Sequence, residues 1–184
     1  MKKILSVFVV LFLFTGLVNA QDRMAIGFNA GIALPMGDFG DGYDMGFGGN
    51  AVFVYHTNPN LDITGSAGYL TWSSKVGDFT FSSIPVLAGV RYLFGKGKFN
   101  PYVAGEVGVH FTTVDIPEIE ILGITVGGGS VSDTFFGFGA GAGFLMEVGK
   151  NMNLDVNAKF NSISSEGSSS NYVSVMAGLL FGLN

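Results

Sequence analysis

The chain of 184 residues contains no cysteine, a single tryptophan and few charges, with Lys, Arg, Asp and Glu together making up 12% of it. Without cysteine no disulfide framework can staple the fold, so stability must come from packing and backbone pairing. A charged fraction about half that of an ordinary soluble domain leaves too few groups to solvate a water-facing surface. Basic residues are scarcest, nine against 14 acidic ones, for a formal net charge of -5. That balance excludes the positive footprint that nucleic-acid binding requires. Beyond residue 20 no apolar run reaches the roughly 20 residues that a membrane-spanning helix needs. In place of these features stand 29 glycines, 18 phenylalanines and a mean hydropathy of +0.45.

The first 20 residues read as a cleaved signal peptide. Lys2 and Lys3 form a basic start, Ile4 to Leu17 is an apolar core, and Val18-Asn19-Ala20 is a small-residue cleavage site. An N-terminal membrane helix is the competing reading, but no charged stop-transfer flank follows. The mature chain, residues 21–184, is then expected to be a single domain outside the inner membrane.

That remainder alternates with period two, the spacing of side chains on opposite faces of a strand. The stretch Ser83 to Phe94 is the clearest unit: Ile84, Val86, Ala88, Val90, Tyr92 and Phe94 share one face, Pro85, Leu87, Gly89 and Arg91 the other. One face is apolar and ends in aromatics; the other is small and carries one charge. A strand of about ten residues with this pattern crosses a bilayer when tilted. Equivalent units occur at Met24–Leu34, Met45–Tyr55, Leu61–Trp72, Tyr102–Phe111, Thr134–Val148 and Met152–Asn161, with a last one after Ser170. The fold class expected is all-β, an eight-stranded antiparallel up-and-down transmembrane β-barrel. Connections 35–44, 73–78, 112–133 and 162–170 alternate with shorter turns, the asymmetry of external loops and periplasmic turns. The long connections hold Asp38, Asp41, Asp44, Asp78, Asp115, Glu118, Glu120, Asp133 and Glu166, while Lys96, Lys98 and Lys150 fall in the turns. The external face is therefore expected to be acidic.

Three stretches carry a family resemblance: Ile26-Gly27-Phe28-Asn29-Ala30-Gly31 with Leu34-Pro35-Met36-Gly37-Asp38-Phe39, then Ile84 to Tyr92, then Pro101-Tyr102-Val103-Ala104-Gly105. With them the mature chain resembles the small outer-membrane β-barrel domain family, the "porin family" or PorT-like barrels, grouped with OmpA/OmpX-type eight-stranded barrels. The resemblance implies location in the cell outer membrane of a Gram-negative bacterium, contact with outer-membrane lipid and lipopolysaccharide, and insertion by the barrel-assembly machinery. That machinery reads a C-terminal strand usually ending in an aromatic; here the last residues are Phe181-Gly182-Leu183-Asn184, with the aromatic set back.

An eight-stranded barrel has an interior just wide enough for side chains or one small ligand. Parity points Asp62, Arg91, Glu106, Glu147, Asp155 and Lys159 into it, and buried charges must pair. They are expected to form a structural network that plugs the lumen, with Arg91 and Lys159 tied to Glu106, Glu147 and Asp155 across neighbouring strands. An ion-conducting lining is the alternative. The glycines of the sixth strand are expected to leave room for these long side chains. Segment 112–133 is the candidate interaction element: Ile116, Ile119, Ile121 and Ile124 alternate with Glu118 and Glu120, a pattern that could extend two strands as a hairpin or fold over the barrel mouth. An exposed strand edge there would pair with a protein partner by strand addition.

A lipid-modifying enzyme would need a Ser/His/acid set, for which His110, Glu106, Ser130, Ser132 and Asp133 are the available material. His110 reads better as a rim or lumen hydrogen-bonding residue, and His56 as a solvated turn residue. No cofactor, metal or nucleic-acid partner is expected, and the chain is expected to be monomeric. A soluble lipocalin-like barrel is opposed by the scarce charge and the glycine-rich polar faces.

Overall fold

The computed structural model describes residues 23–95, 97–121, 124–165 and 168–183, with 117–127 described by backbone pairing alone. The expected leader, Lys96 and Glu166 lie outside these residues. Eight strands run in order: β1 (Met24–Met36), β2 (Gly46–Asn58), β3 (Leu61–Ser73), β4 (Thr80–Leu93), β5 (Phe99–Ile121), β6 (Ile124–Gly149), β7 (Met152–Ser165) and β8 (Ser168–Leu183). Each pairs antiparallel with its neighbours and β8 closes on β1, so the sheet is a barrel. Stepping around the ladder from Met24 through Tyr55, Ile63, Val90, Gly105, Ala140, Phe160 and Val173 returns to β1 at Leu34, ten residues along. This stagger is the shear that tilts the strands against the barrel axis.

Period two sets the two surfaces. Outward positions are apolar and exposed, as at Phe28, Phe47, Val90, Val107, Phe138 and Phe160. Inward positions are buried and include Asn29, Asp62, Arg91, His110, Asp155 and Asn161. Faces apolar outside and polar inside are the inverse of a soluble barrel.

The ends of several strands differ from the period-two reading. Strand β2 runs on through His56 to Asn58, with a bulge between those two residues, because His56 still pairs across to Asp62. Strands β7 and β8 extend into the serine-rich connection, pairing as far as Ser165 with Ser168. The connection after β1 contains a short helix, α1 (Asp38–Gly42), which buries Phe39. Most of segment 112–133 is strand, since β5 and β6 stay paired from Thr112 opposite Asp133 to Ile121 opposite Ile124. Above Asp115 no β4 residue pairs with β5, and above Phe136 no β7 residue pairs with β6 among the described residues. The two strands thus rise as a ribbon clear of their neighbours.

Candidate functional site

The lumen is built from the inward residues of all eight strands. Near the short-turn end, Arg91 of β4 lies opposite Asp62 in the β3 ladder. Its Nε is 3.5 Å from Asp62 Oδ2, and its Nη1 is 3.5 Å from Asp155 Oδ2 of β7, across the barrel. The guanidinium carbon sits 4.7 Å from the centre of the Tyr102 ring, a cation-π contact. Tyr102 in turn donates its hydroxyl to Asp155 Oδ1 at 2.6 Å. His56 Nδ1 meets Asp62 Oδ1 at 2.7 Å. One buried cation thus binds two buried carboxylates, each of which has a second partner. Opposite charge offsets the loss of water, while Arg91 Nη1 and Asp62 Oδ2 themselves make no hydrogen bond among the described residues.

Higher in the lumen, Lys159 Nζ donates to Glu106 Oε2 at 2.8 Å, both side chains being largely buried. Asn161 donates to Ser174 Oγ and to the Lys159 carbonyl. The β6 glycines explain how this fits. An added Cβ at Gly141 would stand 2.6 Å from Lys159 Cγ, at Gly139 3.1 Å from Glu106 Cγ, at Gly143 2.7 Å from the Tyr102 hydroxyl and at Gly137 2.6 Å from His110 Cδ2. Each missing side chain is replaced by one reaching in from an adjacent strand. The internal void left beside Glu106, Asn50, Ser66 and Asn161 measures about 20 Å³, room for one water.

Glu147 departs from the expected network. It keeps inward parity on β6, yet lies two residues from the strand end, beside the bulge before Gly149, and is exposed to water. It takes part in no ion pair among the described residues, so the carboxylates facing Arg91 are Asp62 and Asp155, and Lys159 takes Glu106. His56, read as a solvated turn residue, is instead half-buried on Asp62. The signal for it was the six-residue spacing to Asp62, which a short hairpin converts into a cross-strand pair.

The loop end is closed by aromatic packing. Trp72, 1% exposed, stacks edge-on against Tyr172 and Phe39 and donates its indole N–H to the Ala33 carbonyl at 3.1 Å. Phe39 also contacts Tyr43 and Phe81, so helix α1 acts as a stopper over the mouth. Below this layer His110 is buried and paired with Ser83 Oγ at 3.2 Å. Ser132, by contrast, is on the outer face of the ribbon and bonds Thr113 at 3.0 Å. The hydroxyls and imidazole considered for catalysis are therefore on different faces. At the opposite end the lumen opens into a cavity of about 680 Å³ lined by His56, Asn58, Asp62, Leu93, Asn100 and Asn153.

A closed eight-stranded ring, apolar outside and ionic within, is now matched by sequence: the outer membrane protein beta-barrel domain profile fits residues 6–181. The chain belongs to this family. It is an outer-membrane β-barrel. Solved structures share the fold. Neisserial surface protein A is 20% identical with a TM-score of 0.66, covering 86% of this chain and 96% of that one. Ail, the attachment invasion locus protein of Yersinia pestis, is 18% identical with a TM-score of 0.52, covering 86% and 97%. The outer membrane enzyme PagL is 17% identical with a TM-score of 0.51, covering 85% and 98%. No curated protein matches the chain. A surface protein, an attachment protein and an enzyme on one fold mean that the barrel alone assigns no task.

Proposed function

We propose that this outer-membrane barrel is a surface-interaction protein whose lumen is plugged and whose working element is the β5–β6 ribbon. The observation that carries the reading is where the outer face changes character. Just beyond Phe111 on β5 and Phe136 on β6 the outward positions turn polar, at Thr113, Asp115, Thr134, Ser132 and Ser130. A lipid-facing strand keeps apolar residues through the hydrocarbon band, so the ribbon beyond these two rings stands in water.

Closure of the lumen by the Arg91 and Lys159 ion pairs and by the Trp72 layer supports a plugged barrel over the alternative, a narrow pore for ions or small solutes. The burial of His110 and Ser83, with no access for an acyl chain, favours a non-enzymatic role over lipid modification. Contact with outer-membrane lipid and lipopolysaccharide, insertion by the barrel-assembly machinery and a monomeric state complete the reading.

Two measurements test it. The purified protein in planar bilayers is expected to give no discrete conductance steps; steps that change on Arg91→Ala would establish the pore. Bacteria displaying the full chain are expected to adhere to immobilised extracellular proteins. A version with Phe111 joined to Thr134, its ladder partner, through an Asn-Gly turn lacks Val131 and Asp133 and should lose that adhesion, and equal adhesion by both would remove the ribbon from the function.

A further inference from the structure

The ribbon has two free edges, and they are not equivalent. On β5 the edge above Asp115 carries Pro117, which has no N–H to offer, followed by Glu118 and Glu120. Proline and charge are the devices that protect a strand edge from pairing. On β6 the edge above Phe136 has neither device between Ser130 and Phe135 apart from a single charge, Asp133. Above it Gly128 and Gly129, at φ 80° and 152°, depart from regular strand geometry while the pairing with β5 continues. Below it lies the tip of β7, whose last pairing with β6 is Ser164 with Phe136. Six residues of clean strand edge are thus bounded at both ends. A notch of about 790 Å³ opens beside them, lined by Asp133, Thr134, Phe135, Phe136, Ser164 and Ser165.

The side chains along this edge state what would fit. Val131, Asp133 and Phe135 share the inner face of the ribbon, continuing the inward parity of Gly137; Ser130, Ser132 and Thr134 share the outer face. Val131 is 58% exposed and has Val114 as its only ladder partner. Asp133 engages in no ion pair among the described residues. The surrounding charge is predominantly acidic: Asp38, Asp41, Asp44, Asp78 and Asp115 are all exposed at this end, against Lys75.

We propose that the β6 edge from Ser130 to Phe135 is a docking site for an extended, cationic segment of a partner protein. That segment adds as a strand in the path that β7 vacates at Ser165. Backbone pairing supplies the attachment, as in other strand-addition complexes. Cross-strand neighbours supply the selection: apolar residues opposite Val131 and Phe135, Lys or Arg opposite Asp133, small polar residues on the other face. The acidic rim steers such a segment in and repels anionic ones. This rests on the reading of the chain as a surface-interaction protein and names its partner's chemistry.

The test uses the full-length mature protein in nanodiscs and a labelled, capped peptide Thr-Val-Thr-Lys-Thr-Phe-Thr, followed by fluorescence polarisation at low salt. The peptide with Lys replaced by Glu should bind about tenfold more weakly, the effect of turning one facing charge pair from attractive to repulsive. Asp133→Lys should invert that preference, and N-methylation of alternate peptide residues should abolish binding. Unboiled gels showing the folded barrel exclude misfolding of the variant. Equal binding of the Lys and Glu peptides, undiminished binding of the N-methylated one, or no binding at all overturns the proposal. Adhesion that vanishes with the shortened ribbon yet is untouched by Asp133→Lys would overturn the docking site and leave the surface-interaction reading standing. Adhesion indifferent to both changes would remove both.

Discussion

Arg91 is the residue on which the lower lumen turns. It is nearly inaccessible to water, as are Asp62 and Asp155 on either side of it. Removing its guanidinium leaves two buried carboxylates facing each other without a cation. Arg91→Ala is therefore expected to destabilise the barrel by about 3–5 kcal/mol, the cost of orphaning a buried charge. Urea unfolding of the detergent-refolded protein, followed by the single Trp72, measures this; a loss below 1 kcal/mol would mean that water already reaches the site. That Arg91 points inward was legible from its place among Leu87 and Gly89 on the non-aromatic face. That Arg91 would take Asp155, 64 positions later, and leave Glu106 of the same expected network to Lys159 was not, because partnership across the lumen depends on the barrel's closure and shear rather than on local spacing. Glu147 shows the converse: parity set its face, but only its height relative to the rim decided that it is wet.

At the scale of the element, β6 is the strand whose composition does most. Its inward positions Gly137, Gly139, Gly141 and Gly143 trade side chains for space that His110, Glu106, Lys159 and Tyr102 occupy. Gly141→Leu should displace Lys159 from Glu106 and cost at least about 1–3 kcal/mol through overpacking. The same change at Ala142, which faces lipid, should be nearly neutral. Comparing their unfolding midpoints separates a lumen effect from a strand-propensity effect, since both sites lie in one strand. The glycine run alone announced empty space; which residue fills each gap required the register with β5 and β7. The ribbon is a similar case. The β-branched residues from Val114 to Val126 favour strand, yet a 26-residue β6 exceeds anything that the bilayer demands. Its length emerged only when β5 was available to pair with it.

For the whole molecule, the unequal ends predict orientation. Outer-membrane barrels place short turns in the periplasm and long loops outside, so the Trp72 layer and the ribbon should face the medium. The absence of cysteine makes this simple to measure. Ser132→Cys is expected to react with an impermeant maleimide on intact cells, and Asn151→Cys, in the β7 turn, only after permeabilisation. The opposite pattern would invert the assignment of both ends. The amino-acid sequence by itself determined the number of strands, their faces, the compartment and the acidic character of one end, since period-two alternation and charge counts are local properties of the chain. Tertiary structure decided what is non-local. Closing β8 onto β1 with a stagger of ten residues chose which charges meet across the lumen. Folding α1 inward made Phe39 part of a lid, and ending the β6–β7 pairing at Ser164 left the edge of β6 open among the described residues. Each of these depends on distances between strands that no window of sequence contains, because a barrel's interior is defined only once its last strand has found its first.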